Sequence, residues 1–318
     1  AMGLFSFLHG LFGGGRYGSE DLAQHLGLMI KWLDETKPHY QRFTIPKRAG
    51  GTRDIDAPND ELKKLQRLIL HRVLAGLKAH PACNGFERHR SIVSNARVHA
   101  RPDVVLRMDI RNFFGSTGAA RVKRYCRAIG WDRRASNLLV KLCTWQGGLP
   151  QGAPTSPRLS NLVNYQMDAR LAGLAQSIGA RYTRYADDIT FSFRADEANE
   201  ARSSLARNPK TLDPAECRDD HRLPTAFAIR MTKAILADYG YKIHHKRKLH
   251  IRRKHQRQDV TGLVVNHKVN LPRRTRRWLR AVEHHLATGR PATLSAAQLA
   301  GWHALQHMVA TQSQPGSP

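Results

Sequence analysis

Tyr185-Ala186-Asp187-Asp188 sets two adjacent carboxylates between two strand-like runs, residues 181–185 and 189–193. After the pair, Ile189, Phe191 and Phe193 alternate with Thr190 and Ser192. That is the period of a half-buried strand, and it predicts a hairpin with the acids at or near its tip. Two like charges this close repel, and without compensation one is pushed towards its protonated form. A divalent cation bound through carboxylates and substrate phosphates resolves the conflict, and magnesium is the usual one. Taken alone, the four residues read equally well as an ordinary Asp-containing turn.

A third carboxylate in matching context shifts that balance. In Val104-Val105-Leu106-Arg107-Met108-Asp109-Ile110, alternation puts Val104, Leu106, Met108 and Ile110 on one face and leaves Val105, Arg107 and Asp109 on the other. Asp109 therefore ends a buried strand, and Arg111-Asn112-Phe113-Phe114-Gly115-Ser116 breaks the pattern. Between the acid sites lies a Gly/Pro-rich loop, Gly148-Leu149-Pro150-Gln151-Gly152-Ala153-Pro154-Thr155. Ser156-Pro157 then reads as an N-cap with proline at the first helical position, and Leu159, Leu162, Val163, Met167, Leu171 and Leu174 recur at helical spacing. A helix N-terminus opening from such a loop suits phosphate or base-pair contacts.

Composition points to a polyanion independently. The 318 residues hold 52 Lys and Arg against 25 Asp and Glu, a formal charge of +27. Self-repulsion on that scale is most economically read as a surface that works against nucleic acid. The apolar patch within residues 4–12 is too short and glycine-broken to span a membrane, and no basic leader or cleavage site is evident. Cys83, Cys126, Cys143 and Cys217 show neither metal-type pairing nor a disulfide framework, which suits the cytoplasm.

Order, residue types and spacing together resemble the palm of reverse transcriptases. Asp109 matches their first palm motif, Gln151-Gly152 with Ser156-Pro157 the second, and Tyr185 to Asp188 the third. Asn95-Ala96-Arg97-Val98-His99 and Val260-Thr261-Gly262 resemble two signatures of the bacterial retron members. The similarity runs from about residue 26 to 309, taking in Pro38-His39-Tyr40, residues 45–53 and Gly301-Trp302-His303-Ala304-Leu305. It departs at 194–223, which is longer and more acidic than usual, and at His244-His245, where Asn and Pro are commoner.

The resemblance implies an α+β right-hand polymerase, with a helical extension over 1–40, fingers over 41–100 and a palm with an antiparallel sheet over 101–266. Within the palm, 116–148 belongs with the fingers and 195–223 is a surface insertion; 267–318 forms a helical thumb and flexible tail. It further implies that Asp109, Asp187 and Asp188, with the Ile110 backbone carbonyl, hold two Mg²⁺ ions roughly 3.5–4 Å apart for phosphoryl transfer. Phe114 would be the steric gate against a ribose 2′-hydroxyl. Gln151 and Gly152 would touch the nascent pair, and Lys47 and Arg53, flanking the Gly50-Gly51 turn beside Arg48, the incoming dNTP. Lys248, or Arg247, would approach the pyrophosphate.

Arg273, Arg274, Arg276, Arg277 and Arg280 crowd around Trp278 and Leu279. That pattern suits a thumb helix gripping RNA by its phosphates, with Trp278 in the core. Asn95 and His99 would contact the cognate RNA or order the loop beside it, and a buried, hydrogen-bonded His99 is an equal reading. The partners implied are a structured noncoding RNA as template and primer, its branched RNA–DNA product, a separate effector protein acting against phage, and a host RNase H. A group II intron-like or other defence-associated reverse transcriptase, and a basic RNA-binding module with vestigial acids, remain alternatives. By local pattern, helices are expected over 21–33, 62–77 and 226–239, and a strand, turn and strand over 43–55.

Overall fold

A computed structural model describes residues 17–47, 50–194, 223–244 and 249–312. The expectations for Arg48, Arg247, Lys248, Cys217 and the acidic segment 195–222 lie outside them. The described residues pack as two units. The first takes in the chain up to His80, Arg111–Gln166 and Asp238–Tyr241; the second takes in Pro81–Ile110, Met167–Ala237 and the chain from Lys242 onward.

In the first unit the hairpin is longer than expected, with β1 (Tyr40–Pro46) and β2 (Thr52–Pro58) paired from Tyr40↔Pro58 to Pro46↔Thr52. One helix was expected to be continuous and is not. The pattern over 21–33 divides into Ser19–Leu26 and Ile30–Glu35, because Gly27 adopts φ 64 and its N–H caps Ala23 and Gln24 carbonyls. Asp60–Ile69, capped by Asn59, passes into a π-helical turn at Leu70–Leu74. Leu62, Leu65 and Ile69 meet Val122, Leu139, Leu142, Leu159 and Leu162 in one core. Gln66, fully buried, donates to the Tyr40 hydroxyl at 2.8 Å and to the Leu142 carbonyl at 2.7 Å, tying the hairpin to that core.

The helix after the Gly/Pro loop is Ser156–Val163, with Thr155 as its N-cap. It therefore starts one residue earlier than Ser156-Pro157 suggests. The Ser156 hydroxyl is engaged elsewhere, donating to the Pro150 carbonyl at 2.7 Å. The apolar spacing that runs on to Leu174 belongs to a second helix, Tyr165–Ser177, beyond a break at Asn164.

The second unit is built on an antiparallel sheet of β3 (Val104–Asp109), β4 (Ala180–Tyr185), β5 (Asp188–Phe193) and β6 (His250–Arg253), in the order β4-β5-β3-β6. Leu106, Met108, Ile189 and Phe191 are fully buried. Val105 is buried too, in a cluster with Val93, Ala96, Val260, Leu263, Leu279 and Val282, so β3 is covered on both faces at that point. The helices Arg273–Ala287 and Ala296–Gln312 contribute to this cluster, with Trp278 and Trp302 edge to face at 5.6 Å. Trp278 thus packs inward, as expected. Arg273, Arg274, Arg276, Arg277 and Arg280 are exposed.

Cys83, Cys126 and Cys143 are buried free thiols. No helix among the described residues is long and apolar enough to cross a membrane.

Candidate active site

The site grows from the register of β3 against β5. Tyr185 and Asp188 are paired, leaving Ala186 and Asp187 as a two-residue turn, with Ala186 in the left-handed region at φ 56. On the other side of β5, Asp188 lies directly opposite Asp109. The Ile110 N–H donates to the Asp187 carbonyl at 3.0 Å, carrying the ladder past the strand end into the turn. Asp109 is 6 % exposed, and its carbonyl accepts from the His244 N–H at 3.0 Å. Three acids separated by up to 79 positions in the chain are thus held by one stretch of β-ladder.

The side chains do not form a ready cation cage. Among the described residues no group of three His, Cys, Asp or Glu is disposed to hold a metal ion. The Asp188 carboxylate accepts from Arg107 at 3.4 Å, and the His244 imidazole stands 3.6 Å from the Asp109 carboxylate. Directly opposed residues nevertheless bring their Cβ atoms within about 4.5–5.5 Å, a span one cation bridges. The donor set therefore fits a divalent metal in residue type and register, with side-chain rotation still required.

The turn has its own support. Arg184 and Asp168 are both wholly buried and form a two-point ion pair, Nε to Oδ1 at 2.8 Å and Nη2 to Oδ2 at 2.7 Å. The Tyr182 hydroxyl donates to Asp168 Oδ1 at 2.7 Å, and Arg184 Nη1 donates to the Ala186 carbonyl at 2.9 Å. The sequence reading missed this network. Its only trace in the sequence is an acid at 168 on an apolar helix face.

The remaining expected site residues divide between the units. The first unit carries Lys47 and Arg53, both exposed near the hairpin turn, and Phe114, half-buried against the core and 5.5 Å from the Phe113 ring. It also carries Gln151-Gly152, docked on β2: the Gln151 carbonyl accepts from the Asp56 N–H at 2.9 Å. Gly152 has φ 141, and a Cβ there would stand 2.7 Å from the Asp56 carbonyl oxygen, so this position requires glycine.

Of the two readings of His99, the structure shows the buried, hydrogen-bonded one. Asn95 is 1 % exposed and His99 fully buried. Both His99 ring nitrogens are taken at 2.7 Å, Nδ1 by Ser192 Oγ and Nε2 by Thr183 Oγ1, so the imidazole locks β4 to β5. Asn95 faces Thr261 at 3.5 Å, and Thr261 in turn donates to the Ile92 carbonyl at 3.0 Å. The two segments singled out as signatures thus meet each other inside the unit.

Burial, reinforced by the Arg181 charge, lowers the His99 pKa from its ordinary value to about 3. A histidine neutral when folded and protonated when unfolded favours the folded chain above pH ~6.5, and that contribution is lost as pH falls towards the folded value. Between those limits, stability is expected to drop by roughly 1.4 kcal/mol per pH unit from this residue. Urea titrations from pH 7 to 4 should show a shallower slope for His99→Gln; an identical slope would exclude this source.

A sheet that gathers acids at a strand end and a facing hairpin tip is the arrangement expected above for a polymerase palm. Residues 45–265 match the family model described as reverse transcriptase (RNA-dependent DNA polymerase), and the chain belongs to that family, among its retron members. It is 36 % identical to the retron Mx162 reverse transcriptase of Myxococcus xanthus over 92 % of this chain and 64 % of that protein. Against the retron Ec86 reverse transcriptase of Escherichia coli the identity is 33 %, over 83 % of this chain and 74 % of that protein. The chain therefore spans just under two thirds of the Mx162 relative's length. Among solved structures it is similar to telomerase from Candida albicans, at 11 % identity and a TM-score of 0.45, over 79 % of this chain and 48 % of that one.

Proposed function

We propose that this chain copies a structured noncoding RNA into DNA from dNTPs, priming from an RNA 2′-hydroxyl to give a branched RNA–DNA molecule. The observation that carries this reading is the pairing of Asp109 with Asp188 beside the Asp187 turn. Asp109 and Asp187, with Asp188 and the Ile110 carbonyl, are the groups that would hold divalent metal, most simply Mg²⁺. Metal bound there supplies acidification of the attacking hydroxyl and relief of charge on the leaving pyrophosphate.

The chain's own part is positioning. The ladder fixes the acids, Gln151-Gly152 contacts the nascent pair, and Lys47 and Arg53 offset triphosphate charge. The arginine face of Arg273–Ala287 grips RNA phosphates, which makes binding salt-dependent. Membership of the retron group supports the further reading of a cytoplasmic protein acting with a separate effector against phage, its template removed by host RNase H.

Incorporation of labelled dNTP on RNA that co-purifies with the protein, with and without Mg²⁺, tests the reaction. Sequencing the product across a branched guanosine tests the priming. An RNA-binding module without catalysis would retain the RNA and incorporate nothing. Phe114→Ala is expected to raise ribonucleotide use relative to deoxynucleotide by about 10-fold or more, since a missing ring no longer excludes the 2′-hydroxyl. Unchanged selectivity in single-nucleotide competition would remove Phe114 from the gate.

A further inference from the structure

Strand β4 is the outer strand of its sheet, yet its far edge is not bare. Residues 82–84 run parallel to it: the Arg184 N–H donates to the Ala82 carbonyl at 2.9 Å, and the Asn84 N–H donates to the Arg184 carbonyl at 2.8 Å. Cys83 and Asn84 are each 1 % exposed, so this short rib is packed in place. It leads directly to Gly85, which lies against the acidic turn. A Cβ on Gly85 would stand 2.7 Å from the Ala186 nitrogen and 3.2 Å from the Tyr185 carbonyl carbon. Those are backbone atoms, so no side-chain rotation relieves the overlap.

The turn that Gly85 touches is constrained on its other sides as well. Ala186 holds a positive φ of 56, its carbonyl is fixed by Arg184, and the Asp187 carbonyl accepts from Ile110. A push from Gly85 is therefore passed along a stiff turn to Asp187. We propose that Gly85 is a positioning residue: its missing side chain lets the rib seat against Tyr185-Ala186 and sets the position of the Asp187 carboxylate relative to Asp109. This rests on the reading of Asp187 as a metal-holding acid. Gly85 touches no reacting atom and acts through the turn.

Gly85→Ala tests the idea, with Gly173→Ala as control, because an added Cβ at Gly173 meets nothing within 4 Å. Two readouts are taken. The first is amide hydrogen exchange at Ile110, whose N–H reports the bond to Asp187 without any need for activity. The second is DNA synthesis on the co-purified RNA, resolved into kcat and the dNTP KM. Displacement of a reacting group by an ångström costs about 10²-fold. The expected result is a kcat lower by roughly 10- to 100-fold with little change in KM, together with faster exchange at Ile110. The control should match the wild-type chain in both.

Adding Ala186→Gly to Gly85→Ala gives the turn freedom to shift, and is expected to recover part of kcat. If Gly85→Ala alone does not fold, the double variant should fold, and its failure would overturn the proposal. Wild-type synthesis and exchange in Gly85→Ala would also overturn it, as would lost synthesis with unchanged exchange. If the wild-type chain makes no DNA on any RNA while exchange at Ile110 rises in Gly85→Ala, the polymerase reading fails and the positioning role stands.

Discussion

Asp187→Asn is expected to reduce DNA synthesis by about 10³-fold or more while leaving RNA binding intact. The substitution is nearly isosteric. The turn carbonyl that accepts from Ile110 is a backbone group and stays, so the ladder is preserved. What is lost is one negative charge that would hold the divalent cation, inside a strongly basic protein. Removing one such preorganised group typically costs 10²–10³-fold in rate, and a lost metal ligand costs at least as much. Asp109→Asn should match it, and the double variant should lose little more, because groups acting as a unit are not additive.

Asp188→Asn is expected to cost less, since Asp188 already bonds Arg107 at 3.4 Å. RNA affinity should be unchanged or slightly higher for all three variants, because each removes a charge that repels phosphate. Initial rates of labelled dNTP incorporation and filter binding of the same RNA check both halves. Retention of near wild-type synthesis by Asp187→Asn would end the two-metal reading.

Asp168→Ala should be the most destabilising single change at the palm, by about 3–5 kcal/mol. Both partners of the Arg184–Asp168 pair are fully buried. Deleting the carboxylate leaves a guanidinium in low dielectric with its principal acceptor gone, and also takes the partner from the Tyr182 hydroxyl. The loss should persist in high salt, because a buried pair is poorly screened.

An apolar pair of similar volume, Asp168→Leu with Arg184→Met, is expected to recover most of that stability, as buried ion pairs often tolerate such replacement. It would not restore the bond from Arg184 to the Ala186 carbonyl. Stability should therefore return without full activity. Urea midpoints alongside synthesis rates separate the two. Parallel recovery would mean that the pair serves only folding.

The legible parts of this protein were the local ones. Alternation in Ile189 to Phe193 and in Val104 to Ile110 needs nothing beyond neighbouring residues to reveal a strand. The helix starting near Pro157 and the basic helix around Trp278 were legible in the same way, although the start of the first lies one residue earlier and the break at Asn164 was not legible. The continuous helix expected over 21–33 was misread because apolar spacing persists across Gly27. For the histidine at 99 an RNA contact and a buried, hydrogen-bonded side chain read equally well, since polar type alone does not reveal burial.

From its residue order alone this chain specified two strands carrying acids, a proline-started helix, a strongly cationic surface and the family to which they belong. Tertiary structure alone decided that Asp109 faces Asp188, that His99 is sealed inside, and that Arg184, Asp168 and Gly85 brace the acidic turn. The physical reason is range. Periodicity and capping act over a few residues, whereas cross-strand register, desolvation and steric contact join groups tens of positions apart and exist only once the chain has closed on itself.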